Sequence, residues 1–423
     1  MLRLVESIAI IPTFFLLIVV LSQYLVLIFK PKKKIIGNSK PSVSILIPAH
    51  NEGAYLRKTI ESILNSDYNG KKEIIVIDDG SVDDTPRIIR EFKKKRLIKS
   101  IRTNHIGKSN AMNRGLKLAK NEIIVTVDGD TIIEKGSLDK LLAPFSDKKV
   151  AATTGAIKVV NSRRLITWFQ RVEYLYFSFY KSLCDRLDGI IWVSGTLSAI
   201  RKKCLKDEKG FNPRVLLEDM DLALKLIKKG YKIHYISDAI ALTHAPEKIK
   251  DLARQRFRWL RGGIQMMKQH FDMYFNKKYF GSGFFSLPLM SYWYFHSLIT
   301  GILIFLQVIL GYYNYFYVYG NILSFNVLTY FFNWFSVFGI INLTYQTVIG
   351  NFPLTLLNFL NIIVVALNYA IYFYSIKWFK EKLTLKDLFA FIFMFPYWVF
   401  LMIIQIYSNI EWFSEKARNQ WNK

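Results

Sequence analysis

Cysteine is almost missing from this chain. Of 423 residues only Cys184 and Cys204 carry a thiol, so no disulfide framework can staple it. The six histidines, His50, His105 and His244 among them, show no ligand spacing, which removes a zinc site and leaves none with a catalytic role. Acidic residues are scarce beside basic ones, 32 against 58, for a formal net charge of +26. That surplus could suit nucleic acid. No groove-reading module with clustered Lys and Arg accompanies it, so nucleic acid is not an expected partner. Charge of either sign vanishes in residues 7–29, 284–374 and 388–410. About 20 apolar residues span a bilayer, so a membrane protein of two or three structural units is expected.

Lys30, Lys32, Lys33 and Lys34 follow the first uncharged run. A basic flank marks the cytoplasmic side and attracts anionic membrane lipid. The first span then runs outside to inside, and the charged block behind it is cytosolic, with both cysteines reduced. The run is too long for a signal peptide and no small-residue cleavage site precedes the lysines, so an anchor is expected. Residues 287–310, 354–376 and 388–407 read as further spans. Residues 312–350, with Asn314, Asn321, Asn326, Asn333 and Asn342, read as one span or a re-entrant pair. Lys377, Lys380, Lys382 and Lys386 should be cytoplasmic by the same rule. Four simple spans would put them outside, so either part of 312–350 should fail to cross or the rule is overridden.

Within the charged block, Val43-Ser44-Ile45-Leu46-Ile47-Pro48, Glu73-Ile74-Ile75-Val76-Ile77-Asp78 and Glu122-Ile123-Ile124-Val125-Thr126-Val127 are short β-branched runs. They suit strands buried on both faces of a parallel sheet. Helical segments at 54–64, 85–94 and 109–119 separate them, which predicts a doubly wound α/β domain. Ligands bind beyond the carboxyl ends of such strands. Those ends carry His50-Asn51-Glu52, Asp78-Asp79-Gly80 and Asp128-Gly129-Asp130. Residues 163–187 mix aromatics with Arg and Lys and suit either an interfacial helix or a core helix. Residues 248–269 form another basic amphipathic helix.

Asp128 and Asp130 at i and i+2 can face one side of a turn, with Gly129 allowing close approach. Magnesium favours one or two carboxylates completed by substrate phosphate; a plain turn cap would use the same residues. Asp79 could accept from a uracil imide N–H, or simply close an Asx turn. Lys108 at a helix start suits an anion, or a solvated surface. Glu218-Asp219 opens a helix, where carboxylates either cap or take a proton from a sugar hydroxyl. In Gln255-Arg256-Phe257-Arg258-Trp259, Gln255, Arg258 and Trp259 share a helical face. Two arginines can grip a diphosphate and Trp can stack a sugar; an interfacial helix with snorkelling arginines is the plainer reading. Ser194, Gly195 and Thr196 are small residues after an apolar run and could line an acceptor channel.

Taken in order, these motifs resemble the membrane-embedded family 2 glycosyltransferases, which include cellulose, chitin, hyaluronan and poly-N-acetylglucosamine synthases. The match runs from Val43 to Gly263 and carries Asp79, Asp128 with Asp130, Glu218-Asp219, and Gln255, Arg258, Trp259. Arg261-Gly262-Gly263 looks nearest the poly-N-acetylglucosamine type. His244 stands where many relatives carry an acid, which puts acceptor contacts there in doubt. The resemblance implies an α/β GT-A (Rossmann-like) cytosolic domain inserted between transmembrane helices. Its parts would be an anchor with basic flank at 1–39, the GT-A domain at 40–245, interfacial helices at 246–280 and a transmembrane region at 281–423. It implies inverting transfer from a UDP-sugar donor to a glycan or lipid acceptor, with Mg²⁺ or Mn²⁺ on Asp130 and Asp128. Asp79 would contact uracil, and Lys108, Gln255 and Arg258 the diphosphate. Asp219 would be the base with Glu218 beside it, and Trp259 with Ser194, Gly195 and Thr196 would place the acceptor. The implied product is an exported β-linked polysaccharide; a single addition to a lipid carrier is the other reading, and an accessory subunit is compatible with both. A transporter is disfavoured, because residues 284–374 hold no Lys, Arg, Asp or Glu, the intramembrane charges that ion pathways usually show.

Overall fold

The computed structural model describes residues 2–29 and 40–413, so the expected flank of Lys30, Lys32, Lys33 and Lys34 lies outside the described residues. Helix α1 (Leu2–Ile28) comes first. Then follow β1 (Val43–Ala49), α2 (Leu56–Leu64), β2 (Lys72–Asp79), α3 (Thr85–Lys94), β3 (Lys99–Thr103), α4 (Lys108–Leu118) and β4 (Ile123–Val127). The alternation matches the periodicity. Strand β3 escapes such reading because Lys99-Ser100-Ile101-Arg102-Thr103 is polar and no residue of it is fully buried. The domain continues with β5 (Ile132–Ile133), α5 (Ser137–Leu142), β6 (Val150–Val159), α6 (Leu165–Arg186), β7 (Leu197–Arg201), α7 (Lys202–Asp207), α8 (Glu218–Lys228), β8 (Lys232–Thr243) and α9 (Ile249–Gln269).

All eight strands form one sheet in the order β3-β2-β1-β4-β7-β6-β8-β5. The parallel sheet expected from the sequence holds for β3, β2, β1 and β4, whereas β7 runs antiparallel to both neighbours. Ile45, Ile47, Val76 and Val125 fill one face against Leu56 and Ile60 of α2 and Phe92 of α3. Leu46, Ile75, Ile77 and Ile124 fill the other against Met112 of α4 and Phe179 of α6. Each such side chain contributes about 1.5–3 kcal/mol on burial. The antiparallel β7 has a consequence for the site. Its first residue, Leu197, pairs with the last of β4, Val127. The segment before β7 is thereby set against Asp128.

The remaining helices are α10 (Leu287–Tyr312), α11 (Phe325–Phe335), α12 (Phe338–Val348), α13 (Leu356–Trp378), α14 (Leu385–Ile392) and α15 (Met394–Phe413). Among the described residues three stretches are long and apolar enough to cross a membrane, Leu4–Ile28, Gly281–Tyr317 and Leu356–Trp378, or five if each bent pair counts. Val5 and Ala9 at the start of α1 pack with Leu303 and Leu310 of α10 and Leu357 of α13. Tyr24, near the other end, donates to the Leu367 carbonyl at 2.8 Å. Helices α1 and α13 are therefore parallel, with α10 opposed.

Arg186, at the end of α6, donates to the Leu27 and Phe29 carbonyls at 2.8 and 2.6 Å and lies 5.6 Å from the Trp378 ring. Both helices thus end at the sheet domain. Just beyond α13, Glu381 pairs with Lys158 at 2.6 Å and Arg171 at 2.7 Å, and buried Asp387 pairs with Arg171. Helices α11 and α12 meet at 103°, as a broken span or a re-entrant loop. The segment after α13 comes back to the sheet domain, where Lys386 donates to the Ser162 carbonyl at 2.9 Å. The span expected at 388–407 is not one straight helix: α14 and α15 meet at 61°. Tyr397 of α15 donates to Glu173 at 2.6 Å and Tyr407 stacks 5.9 Å from Phe257, so α15 rides against α9. Helix α6 combines both expected characters, since it covers the sheet and carries the arginines that hold the membrane helices.

Single cysteines at Lys382 and Asn351 test this path, because Cys184 and Cys204 are both buried. An impermeant maleimide should label position 382 from the side of the sheet domain and 351 from the opposite side. Labelling of position 351 from the side of the sheet domain and of 382 from the opposite side would reject the re-entrant pair.

Candidate active site

The carboxyl ends of β1, β2 and β4 open on one cleft. At the end of β2, Asp79 is 4% exposed and accepts from the Thr103 hydroxyl at 2.7 Å and the Ile106 and Gly107 amides at 2.8 and 2.9 Å. Burial works to raise its carboxyl, yet these three donors hold it below the ordinary carboxylate range. Asp79 thereby ties down the loop that ends in Lys108. Its Oδ1 takes two of the three bonds, which leaves Oδ2 with acceptor capacity.

Lys108 opens α4, and its Nζ stands 2.5 Å from Asp128 Oδ1. Partial desolvation opposes its charge, but Asp128 and Glu218 raise it well above the ordinary lysine range. The Thr196 hydroxyl donates to Asp128 Oδ2 at 3.2 Å. Gly195 lies close against the pair: a Cβ on it would stand 2.9 Å from Lys108 Nζ and 3.7 Å from Asp128 Oδ1, and would push the lysine tip aside. Ser194 is buried, with its amide donating to the Thr154 hydroxyl of β6 and its carbonyl accepting from the Ser198 hydroxyl of β7, so its backbone is tied to the sheet's side chains. Gly195 and Thr196 thus reach the site on the Asp128 side.

Asp130 is raised by burial first and by Asp128 second. Glu52, just past β1, is pushed up to about 8 by burial, then by Asp130 and Asp128. Its side chain packs on Gly129, where a Cβ would approach Glu52 Cγ to 2.9 Å. Sequence reasoning placed Glu52 at a strand end but gave it no role; its position beside the Asp-x-Asp turn was the available signal. The crowding of negative charge between Asp128 and Asp130 is what a divalent cation relieves. Among the described residues no three His, Cys, Asp or Glu side chains converge as a complete metal site. The donor set fits an ion held by two carboxylates and completed by phosphate oxygens.

Glu218 and Asp219 begin α8. Burial raises both carboxyls, opposed at each by Lys108 and Arg258. The two arginines of α9 have opposite fates. Arg258 is exposed to the cleft and makes no hydrogen bond or ion pair among the described residues. Arg256 is buried and pairs with Glu173 at 2.6 Å, while its guanidinium stacks 4.3 Å from the centre of the Trp259 ring. The expectation that both arginines grip a diphosphate is corrected: residues two apart on a helix point in nearly opposite directions, and Arg256 turns into the protein. Tyr174 bridges the two ends of the site. Its ring lies 6.5 Å from Trp259, its hydroxyl stands beside the Gln255 amide, and Asp130 acts on it. Glu173 and Tyr174 had no sequence signal except one acid among the aromatics of α6.

Asp79, Lys108, Asp128, Asp130, Gly195, Thr196, Glu218, Asp219, Gln255, Arg258 and Trp259 therefore belong to one cleft. A family model described as "Glycosyltransferase like family 2" matches residues 41–262, just over half of the chain. The chain belongs to this family. The family 2 chain is 32% identical over 232 residues to the poly-beta-1,6-N-acetyl-D-glucosamine synthase of Staphylococcus epidermidis, covering 54% of the chain and 56% of that protein. It is 33% identical over 247 residues to the probable glycosyltransferase YdaM of Bacillus subtilis, covering 56% of the chain and 59% of that protein. The chain thus matches little more than half the length of these relatives. Among solved structures it resembles a mannosyltransferase of Pyrobaculum calidifontis, PcManGT, in complex with GDP-Man and Mn²⁺. That likeness has a TM-score of 0.60 at 17% identity and covers 99% of both chains. At that identity it concerns the fold, which is of the GT-A type with membrane-length helices beside the domain.

The arginines offer a direct contrast. Arg256→Ala leaves Glu173 buried without its cation and should cost roughly 3 kcal/mol, read as a lower melting temperature in detergent. Arg258→Ala should leave melting unchanged and weaken UDP binding about tenfold, from loss of one charge-assisted contact.

Proposed function

We propose that this family 2 enzyme transfers a sugar, with inversion, from a UDP-sugar to a growing β-linked polysaccharide at the cytoplasmic membrane face, and passes the polymer outward. The observation that carries the reading is Lys108: it is bonded to Asp128 and acts on Glu218, so acids far apart in sequence share one cleft. The S. epidermidis relative, named as a poly-beta-1,6-N-acetyl-D-glucosamine synthase, favours N-acetylglucosamine as the sugar. The domain at 40–245 would be cytosolic, with lipid around the helices at 281–423 and room for an accessory subunit.

The geometry supports the following roles. Asp79 keeps an acceptor atom toward the base of the nucleotide. Lys108, Gln255 and Arg258 take the diphosphate, and Asp128 passes Lys108 to it. Asp128 and Asp130 would hold Mg²⁺ or Mn²⁺, which supplies positive charge for the departing diphosphate. Trp259 presents a ring to the acceptor sugar, with Gly195 and Thr196 shaping the floor. The acceptor hydroxyl oxygen forms a bond to the anomeric carbon as the bond from that carbon to the UDP oxygen breaks. The hydroxyl proton passes to Asp219, and UDP leaves with the bonding pair. Fixed cations beside the leaving group stabilise the charge that develops there.

Purified enzyme given UDP-N-acetylglucosamine or UDP-glucose with Mn²⁺ should yield a polymer resolved by size. Products confined to single additions on an organic-extractable lipid would replace the polymer reading with the lipid-carrier one. Asp219→Asn should lose at least about 10²-fold in turnover while UDP still binds; normal turnover would remove Asp219 as the base.

A further inference from the structure

Lys181 lies on α6 with 3% of its surface exposed. Among the described residues it makes no hydrogen bond or ion pair, and its ammonium rests 5.2 Å from the centre of the Phe177 ring. A buried ammonium without a partner is costly, so its presence asks for negative charge within reach. Phe177 and Tyr180 stand 5.6 and 5.9 Å from Trp192. Trp192 packs against the apolar cluster that holds Met220 and that Leu217 also covers, and these two residues flank Glu218 and Asp219. The same packing brings Lys181 to the base end of the cleft. Burial lowers Lys181 to about 8, with Asp219 the first group opposing that fall, so it stays protonated at neutral pH.

The other cations acting on Asp219 face the donor. Lys108 and Arg258 lie where a nucleotide diphosphate would bring its own negative charges, which cancel much of their field at the base. Lys181 comes from α6 and has no part in the donor contacts above. We propose that Lys181 is a positioning residue for Asp219, keeping that carboxylate ionised once a bound diphosphate has taken up the charge of Lys108 and Arg258. This rests on Asp219 being the base. Facing Asp219 are Glu218 on its own helix, Lys108 from α4, Arg258 from α9 and Lys181 from α6; facing Lys181 are Asp219 from α8 and Cys184 on α6.

The sign follows directly. Removing Lys181 leaves burial and Glu218 less opposed, so the Asp219 carboxyl rises. A base acts only when unprotonated, so the acid limb of the rate profile moves to higher pH. The pH dependence of kcat and kcat/KM is measured with UDP-N-acetylglucosamine or UDP-glucose, whichever supports turnover, and Mn²⁺. For Lys181→Met the acid limb of kcat should rise by roughly one pH unit. The limb of kcat/KM reports the free enzyme, where Lys108 and Arg258 are not neutralised, so it should lie at lower pH than the limb of kcat. UDP affinity should stay within about twofold, and Lys181→Arg should restore the limb. If Lys181→Met does not fold, Lys181→Gln serves the same comparison. An unmoved kcat limb in a variant that binds UDP normally, or Lys181→Arg behaving like Lys181→Met, overturns the proposal. Full turnover by Asp219→Asn would instead remove the base reading; an inactive Asp219→Asn with an unmoved limb in Lys181→Met removes only the role of Lys181.

Discussion

The contact between Lys108 and Asp128 at 2.5 Å orders the cleft. It joins the loop after β3 to the turn after β4, two strands separated in the sheet by β2 and β1. Asp79 fixes the backbone on one side of it, and Gly195 and Thr196 close on it from the other. The pair also sets the local field. Lys108 offsets the carboxylates of α8 while Asp128 raises Asp130, so acids at opposite ends of the cleft lie in different environments.

The site is built onto the membrane helices rather than set apart from them. Glu173 of α6 receives both Arg256 of α9 and the Tyr397 hydroxyl of α15. Arg256 in turn backs Trp259. One buried ion pair therefore connects the tryptophan of the cleft to a helix of the apolar region. Arg171 and Arg186 extend the same principle along α6, holding Glu381 and Asp387 after α13 and the last carbonyls of α1. Low local dielectric makes each of these pairs costly to break, so the position of α9 over the cleft is tied to that of the membrane helices.

Much of this was legible before folding. The strands β1, β2 and β4 are continuous β-branched runs, and their ends carry the acids that line the cleft. The bounds of α3 and the starts of α4 and α8 lie within a residue or two of the periodic segments. What escaped reading has physical causes. Strand β3 is polar because it is an edge strand. The run at 388–407 is uncharged throughout, so composition could not reveal the bend at Phe393. Arg256 and Arg258 are the same residue type two positions apart, and only the neighbours decide which one is buried.

By itself the sequence determined the membrane-length apolar runs, the alternating strands and helices, and the identity of the acids, lysine, arginine and tryptophan at one end of the sheet. These follow from local patterns, since burial periodicity and turn chemistry act over a few residues. Tertiary structure alone decided that β7 runs antiparallel, that Glu52 joins the two aspartates, that Glu173 claims Arg256, and that Lys181 stands near Asp219. Each depends on residues distant in the chain meeting in a dry environment, where charge is felt over several ångströms and no short stretch of sequence records the partner.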